Sequence, residues 1–162
     1  MSSVQRAANR NAYDEEGGDQ PRGSVRGFRN LIAWQKAVAL ARACYDLSDQ
    51  FPARYGLTSQ IRRAVSSVHL NIAEGYGFGT PAGFVKHLRH ARGSVCEVPS
   101  VLYFAQDHKL LADVGQLPEQ ADEVARVIYG LLRSIEVKYN LEPGYPDEPT
   151  VHVRGGQGKR AS

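Results

Sequence analysis

Eight side chains on two neighbouring stretches have the types and spacing to do chemistry. Within QIRRAVSSVHLNIAEG, residues 60–75, Arg63, Ser67, Asn71 and Glu74 recur every three or four residues, with Gln60 one step before them. His87, His90, Ser94 and Glu97 repeat the same rhythm in the next stretch. On a helix, that spacing places each set on one face. Histidines beside glutamates offer acid–base pairs or metal ligands. Against either role, each row is short and each acid has a basic group at hand. The Glu-x-x-His motif that di-metal bundles carry on two helices is also missing. No Cys/His cluster or CxxC pattern suggests zinc. The GYGFG run at residues 75–79 resembles a phosphate loop only superficially, since it follows a helix and no GK[ST] comes after it. The expectation is a nonenzymatic protein with no catalytic residue, metal or cofactor.

The two rows instead read as a structural polar ladder. In an antiparallel helical hairpin, facing residues have numbers that sum to a constant. Pairing Arg63 with Glu97, Ser67 with Ser94, Asn71 with His90 and Glu74 with His87 gives sums of 160 or 161 throughout. Such a strip fixes register and partner choice more than it adds net stability.

The elements that must position these rows are helices. Residues 30–50 carry two apolar seams: Leu31, Trp34, Val38, Ala41 and Tyr45, and Ala33, Ala37, Leu40, Cys44 and Leu47. Pro52 ends this helix. Residues 58–76 carry Leu57, Ile61, Ala64, Val68 and Ile72, with Thr58 as the expected N-cap and the glycines of GYGFG as the exit. Thr80-Pro81 opens a third helix, whose seam is Phe84, Leu88, Ala91, Val95, Val98, Leu102 and Ala105. Pro99 inside it is expected to kink or break it, and Gly93 beside Ser94 suggests a close neighbour. Residues 118–139 form the fourth helix on Leu117, Ala121, Val124, Ile128, Leu131 and Ile135. No stretch alternates like a strand. The fold class is therefore all-α: an antiparallel up-down-up-down four-helix bundle over residues 28–140, with disordered tails at 1–27 and 141–162.

A chain of 162 residues with 42% apolar and 23% charged residues suits one soluble domain. No apolar run reaches the roughly 20 residues of a membrane span, and the N-terminus lacks the hydrophobic region of a secretory signal. Cys44 and Cys96 both fall in apolar helical patterns and read as reduced core thiols of a cytoplasmic protein. Net charge is only +3 but unevenly distributed. Residues 54–92 hold Arg54, Arg62, Arg63, Lys86, Arg89 and Arg92 against Glu74, whereas residues 107–123 hold five acids against Lys109. A basic face and an acidic face follow, suited to polyanion binding or to charge-matched association.

The motifs FRNLIAWQKA, FPARYGLTSQIRRAVSSVHLNIAEGYG and F-x-x-x-L-x-x-A-R-G-S-x-x-E, in that order over residues 28–139, carry a resemblance. The chain resembles the four-helix bundle family of ribosomal RNA intervening-sequence proteins, which includes the accessory variability proteins of diversity-generating retroelements. The resemblance implies a homopentameric barrel with an electropositive surface for RNA or DNA. In the retroelement branch it also implies a reverse transcriptase as partner. The chain departs from the family pattern at Pro99 and at Val68-His69. A surplus seam on helix one is consistent with a subunit interface.

Two functions fit. The first is a homo-oligomeric bundle, pentameric by the resemblance, that binds RNA or DNA through Arg62, Lys86, Arg89 and Arg92 and acts as an accessory to a nucleic-acid enzyme. The second is a protein-interaction scaffold whose basic face docks an acidic partner without nucleic acid. No membrane partner is expected.

Overall fold

A computed structural model describes residues 26–143; the expected tails lie almost wholly outside these. Four helices account for most of it: α1 (Ile32–Ser48), α2 (Leu57–Gly77), α3 (Pro81–Asp107) and α4 (Leu117–Lys138). Short 3-10 turns at Gly27–Asn30 and Ala53–Tyr55 precede α1 and α2. Each helix packs on its two neighbours, α4 closes back on α1, and the diagonal pairs do not touch. That is the square up-down-up-down arrangement. No described residue is in a strand, and no described helix is long and apolar enough to cross a membrane.

The seams of α2, α3 and α4 are buried along their whole length. Ile61, Val68, Ile72, Phe84, Leu88, Val98, Leu102 and Ile128 are fully enclosed, and each contributes about 1.5–3 kcal/mol by leaving water. On α1 only the seam from Ala33 to Cys44 faces the core fully; Trp34 and Val38 are half-buried and Tyr45 is exposed. Tyr45 nevertheless ties α1 to α2, with its hydroxyl 3.1 Å from Ser66 Oγ.

Several local expectations need correction. Thr58 does not cap α2. Gly56, left-handed at φ 67°, is the cap, and Thr58 Oγ1 instead donates to the Ser48 carbonyl at 3.1 Å. Gly56 tolerates that conformation because it has no Cβ. Pro99 does not break α3, which runs unbroken for 27 residues; the packed apolar seam on either side of it offsets the one hydrogen bond that proline cannot donate. Cys96 is exposed rather than in the core. Cys44 is buried, and burial pushes its thiol up to about 12, which leaves it unreactive. The bundle also extends slightly past its expected limits, since Gly27 is buried and Leu141 packs on the core. The start of α3 follows expectation: the Thr80 side chain accepts from the Gly83 N–H at 3.2 Å with Pro81 in the first turn.

α2 and α3 approach each other closely at Gly75. A Cβ there would lie 2.6 Å from His87 Cβ and 2.9 Å from a Phe84 ring carbon. Gly93, by contrast, has open space around it and is exposed, so it does not mark a close neighbour in this chain. The two glycines should respond oppositely to alanine. Gly75→Ala should destabilise by about 1–3 kcal/mol through overpacking, beyond what alanine recovers in helix propensity. Gly93→Ala should stabilise by up to about 1 kcal/mol. Urea unfolding midpoints of the two variants check this.

Candidate nucleic-acid interface

The polar ladder is built from α2 and α3 side by side. Ser67 Oγ lies 2.9 Å from Ser94 Oγ. Asn71 Nδ2 donates to the Ser67 carbonyl at 2.9 Å and to Ser67 Oγ at 3.1 Å. Asn71 Oδ1 faces His87 Nδ1 at 3.3 Å, and the same imidazole nitrogen is 3.8 Å from Glu74 Oε2. Two expected rungs differ. Asn71 meets His87 rather than His90, because the amide turns toward the end of α2; His90 stays exposed, its ring 6.3 Å from that of His87. Arg63 and Glu97 are both exposed, and no ion pair between them is described. At that depth the two side chains reach water more cheaply than each other. The ladder is thus three rungs deep: Ser67 to Ser94, Asn71 to His87 and Glu74 to His87. No three metal-ligating groups converge among the described residues.

The four candidate cations do not form one patch. Arg62 sits at the α1–α2 joint, where its Nε donates to Ser48 Oγ at 2.8 Å and its Nη2 pairs with Asp49. Its guanidinium also lies 5.0 Å from the Tyr45 ring centre. The antiparallel turn carries it away from the others, roughly 15 Å along the axis from Arg89 at 1.5 Å per residue. Lys86, Arg89 and Arg92 recur every three residues on α3, with the last two turned toward α4. Lys86 is exposed. Arg92 lies with its guanidinium 5.0 Å from the centre of the Tyr129 ring.

Arg89 belongs to a cluster that periodicity did not reveal. Its Nη2 donates to Glu136 Oε1 at 2.8 Å, while Arg133 Nη1 donates to Glu136 Oε2 at 3.0 Å. Glu136 is only 2% exposed, whereas the two guanidiniums are about a third exposed. Arg89 Nη2 also reaches the Glu142 carbonyl at 3.2 Å, and its Nε is buried with no hydrogen-bond partner. Glu136 stands one turn after Leu132, in phase with apolar residues, and three after Arg133. A carboxylate in an apolar stripe with a cation three residues before it was the available signal.

The face between α3 and α4 therefore presents Arg89 and Arg133 on one buried carboxylate, Arg92 over the Tyr129 ring, and the exposed Lys86 one turn before Arg89 on α3. The acids of the opposite end stay apart from it. Glu119 and Asp122 are exposed, and Glu123 pairs with Lys36 at 3.4 Å and with Arg126 at 2.9 Å. Hydrogen bonds from Arg126 and Lys36 hold the Glu123 carboxyl below its ordinary range.

These features define a class: an all-α antiparallel four-helix bundle with a polar seam between its central helices and a basic face beside its last. The family model of the 23S rRNA-intervening sequence protein matches residues 29–130, and the chain belongs to that family. No curated protein matches the chain.

Proposed function

We propose that this protein is a nonenzymatic, homo-oligomeric bundle that binds RNA or DNA through its α3–α4 face. The observation that carries the reading is the run of Lys86, Arg89 and Arg92 along α3, with Arg89 joined to Arg133 of α4 through the buried Glu136 carboxylate. A row of guanidiniums suits backbone phosphates, which reward charge and bidentate donors irrespective of sequence. Tyr129 offers one ring beside the row, too little for base-by-base readout. Arg62, engaged with Asp49 at the α1–α2 joint, leaves the proposed set, and Arg133 joins it. Family membership supports the same reading, as does the half-covered outer seam of α1, which suits a contact between copies, a pentamer by the family resemblance. In this reading the bundle acts as an accessory to a reverse transcriptase or another nucleic-acid enzyme in the cytoplasm.

Retention of labelled single-stranded RNA and of duplex DNA on filters tests the proposal. The double variant Lys86→Gln/Arg92→Gln should bind more weakly. Its log–log salt slope on single strands should be shallower by about 1.4, since two phosphate contacts are lost. Arg89 is left intact because it also neutralises Glu136. No retention by the unaltered protein, even at low salt, would overturn the reading.

The second reading, a scaffold for an acidic protein partner, is favoured by the exposed Glu119 and Asp122, which offer a copy of the chain as that partner. In that case the double variant would change the oligomeric mass seen by light scattering.

A further inference from the structure

We propose that the solvent face of α3 is a self-complementary strip on which a second copy of this chain packs its own α3, antiparallel. The inference rests on the homo-oligomeric part of the reading above and names one contact between copies.

The strip lies on the side of α3 turned away from the core. Lys86, His90, Gly93, Glu97, Ser100, Phe104 and Asp107 follow one another at intervals of four and three in strict alternation, and all are exposed. That is the spacing of a seam between paired helices. The buried seam from Phe84 to Ala105 has the same spacing on the opposite side of the helix. α3 thus carries two seams, and the bundle uses one. No ion pair among the described residues takes up Lys86, Glu97 or Asp107.

Charge and size select the occupant. In an antiparallel pair of identical helices, facing residues have numbers that sum to a constant, and here the sums are 193 or 194 throughout. Lys86 of one copy faces Asp107 of the other, His90 faces Phe104, and Gly93 faces Ser100. Each pair occurs twice, once on either side of a two-fold axis at Glu97. A parallel pairing would set Lys86 on Lys86 and Asp107 on Asp107, so the end charges choose the antiparallel one. Imidazole and phenyl rings stack readily, as Phe104 does with its own His108 at 4.0 Å. A Cβ at Gly93 would have nothing within 4 Å, so opposite the short Ser100 two backbones can draw near. Glu97 meets its own copy at the axis, the one unfavourable pair in the register. Arg63 offsets it, exposed on α2 one turn from the Ser67–Ser94 contact in the same direction as Glu97. Arg89 and Arg92 turn toward α4 and stay outside the strip, and Lys86, at its rim, keeps its ammonium in water and within reach of a phosphate.

Light scattering on a dilution series of the full chain tests the contact. An isologous contact closes after two copies, so it doubles whatever number the α1 seam assembles. Lys86→Asp and Asp107→Lys each set like charges against each other twice, and each should weaken the doubling by about tenfold or more. Neither reversal threatens the helix, because an acid toward its N-terminus and a cation at its C-terminus suit its dipole. The combined variant Lys86→Asp/Asp107→Lys should recover the unaltered mass. Gly93→Gln fills space that is open in a single copy and improves helix propensity, so it should keep the fold and halve the mass. Equal mass in every variant would overturn this contact and leave the oligomer reading standing. Halved mass in the combined variant as in the single ones would overturn the antiparallel register. An unaltered protein that runs as a monomer would overturn the contact and the homo-oligomeric reading together.

Discussion

Replacing Glu136 by alanine should destabilise the bundle by about 2–4 kcal/mol. Breaking a buried ion pair by removing one partner ordinarily costs about 3–5 kcal/mol, because a charge is left without compensation. Here the residual charges are two guanidiniums that each keep about a third of their surface in water, so part of that cost is recovered. Three features keep the effect large. Glu136 itself is 2% exposed, Arg89 Nε is already buried without a hydrogen-bond partner, and the Arg89 contact to the Glu142 carbonyl depends on the guanidinium staying where Glu136 holds it. Equilibrium urea unfolding followed by circular dichroism measures the loss. Glu136→Gln keeps the shape and the acceptor but removes the charge, and should fall between the alanine variant and the unaltered protein. If both variants unfold at the unaltered midpoint, the cluster contributes nothing to stability.

Phe84→Ala should cost about 3–5 kcal/mol, the largest effect of any single truncation considered. The ring is fully buried, meets the Tyr76 ring edge-on with centroids 6.3 Å apart, and fills the space directly opposite Gly75. Truncation loses the transfer free energy of the ring and leaves a void that two rigid helix backbones cannot close. Against a total stability of about 5–15 kcal/mol typical of single domains, that loss removes about a fifth of the margin or more. Phe84→Leu, which retains most of the volume, should lose much less. Thermal unfolding of the pair, read by loss of helical ellipticity, separates the void from any special role of the aromatic edge.

Much of the architecture was legible because apolar periodicity is a direct image of burial. The seams from Leu57 to Ile72, Phe84 to Ala105 and Leu117 to Ile135 are the core itself. The Ser67–Ser94 contact was legible for a related reason: two short polar groups in register on facing helices have few other places to go. What was not legible depends on side-chain reach. Arg63 and Glu97 satisfy the numerical register yet remain in water, since long charged side chains choose solvent wherever solvent is near. Asn71 is short enough that a small rotation selects His87 over His90. The basic candidates failed as a set because numbering hides direction: Arg62 points to α1 while Arg89 and Arg92 point to α4. Glu136 was invisible to a search for apolar stripes, since a carboxylate paired by two arginines occupies a core position that leucine would normally fill. The Gly56 cap was masked by Thr58, which has the right chemistry for a cap but is drawn off by the Ser48 carbonyl.

The rungs between α2 and α3 have a consequence for anyone recombining this chain with a relative. Ser67, Ser94, Asn71 and His87 satisfy each other across two segments that are contiguous through a three-residue turn. A chimera that imports either helix alone would strand hydroxyl, amide and imidazole groups against whatever the donor carries. Grafting residues 57–107 as one cassette keeps the donors and acceptors of these rungs together, so crossover points belong in the loops that flank the hairpin, not at its tip.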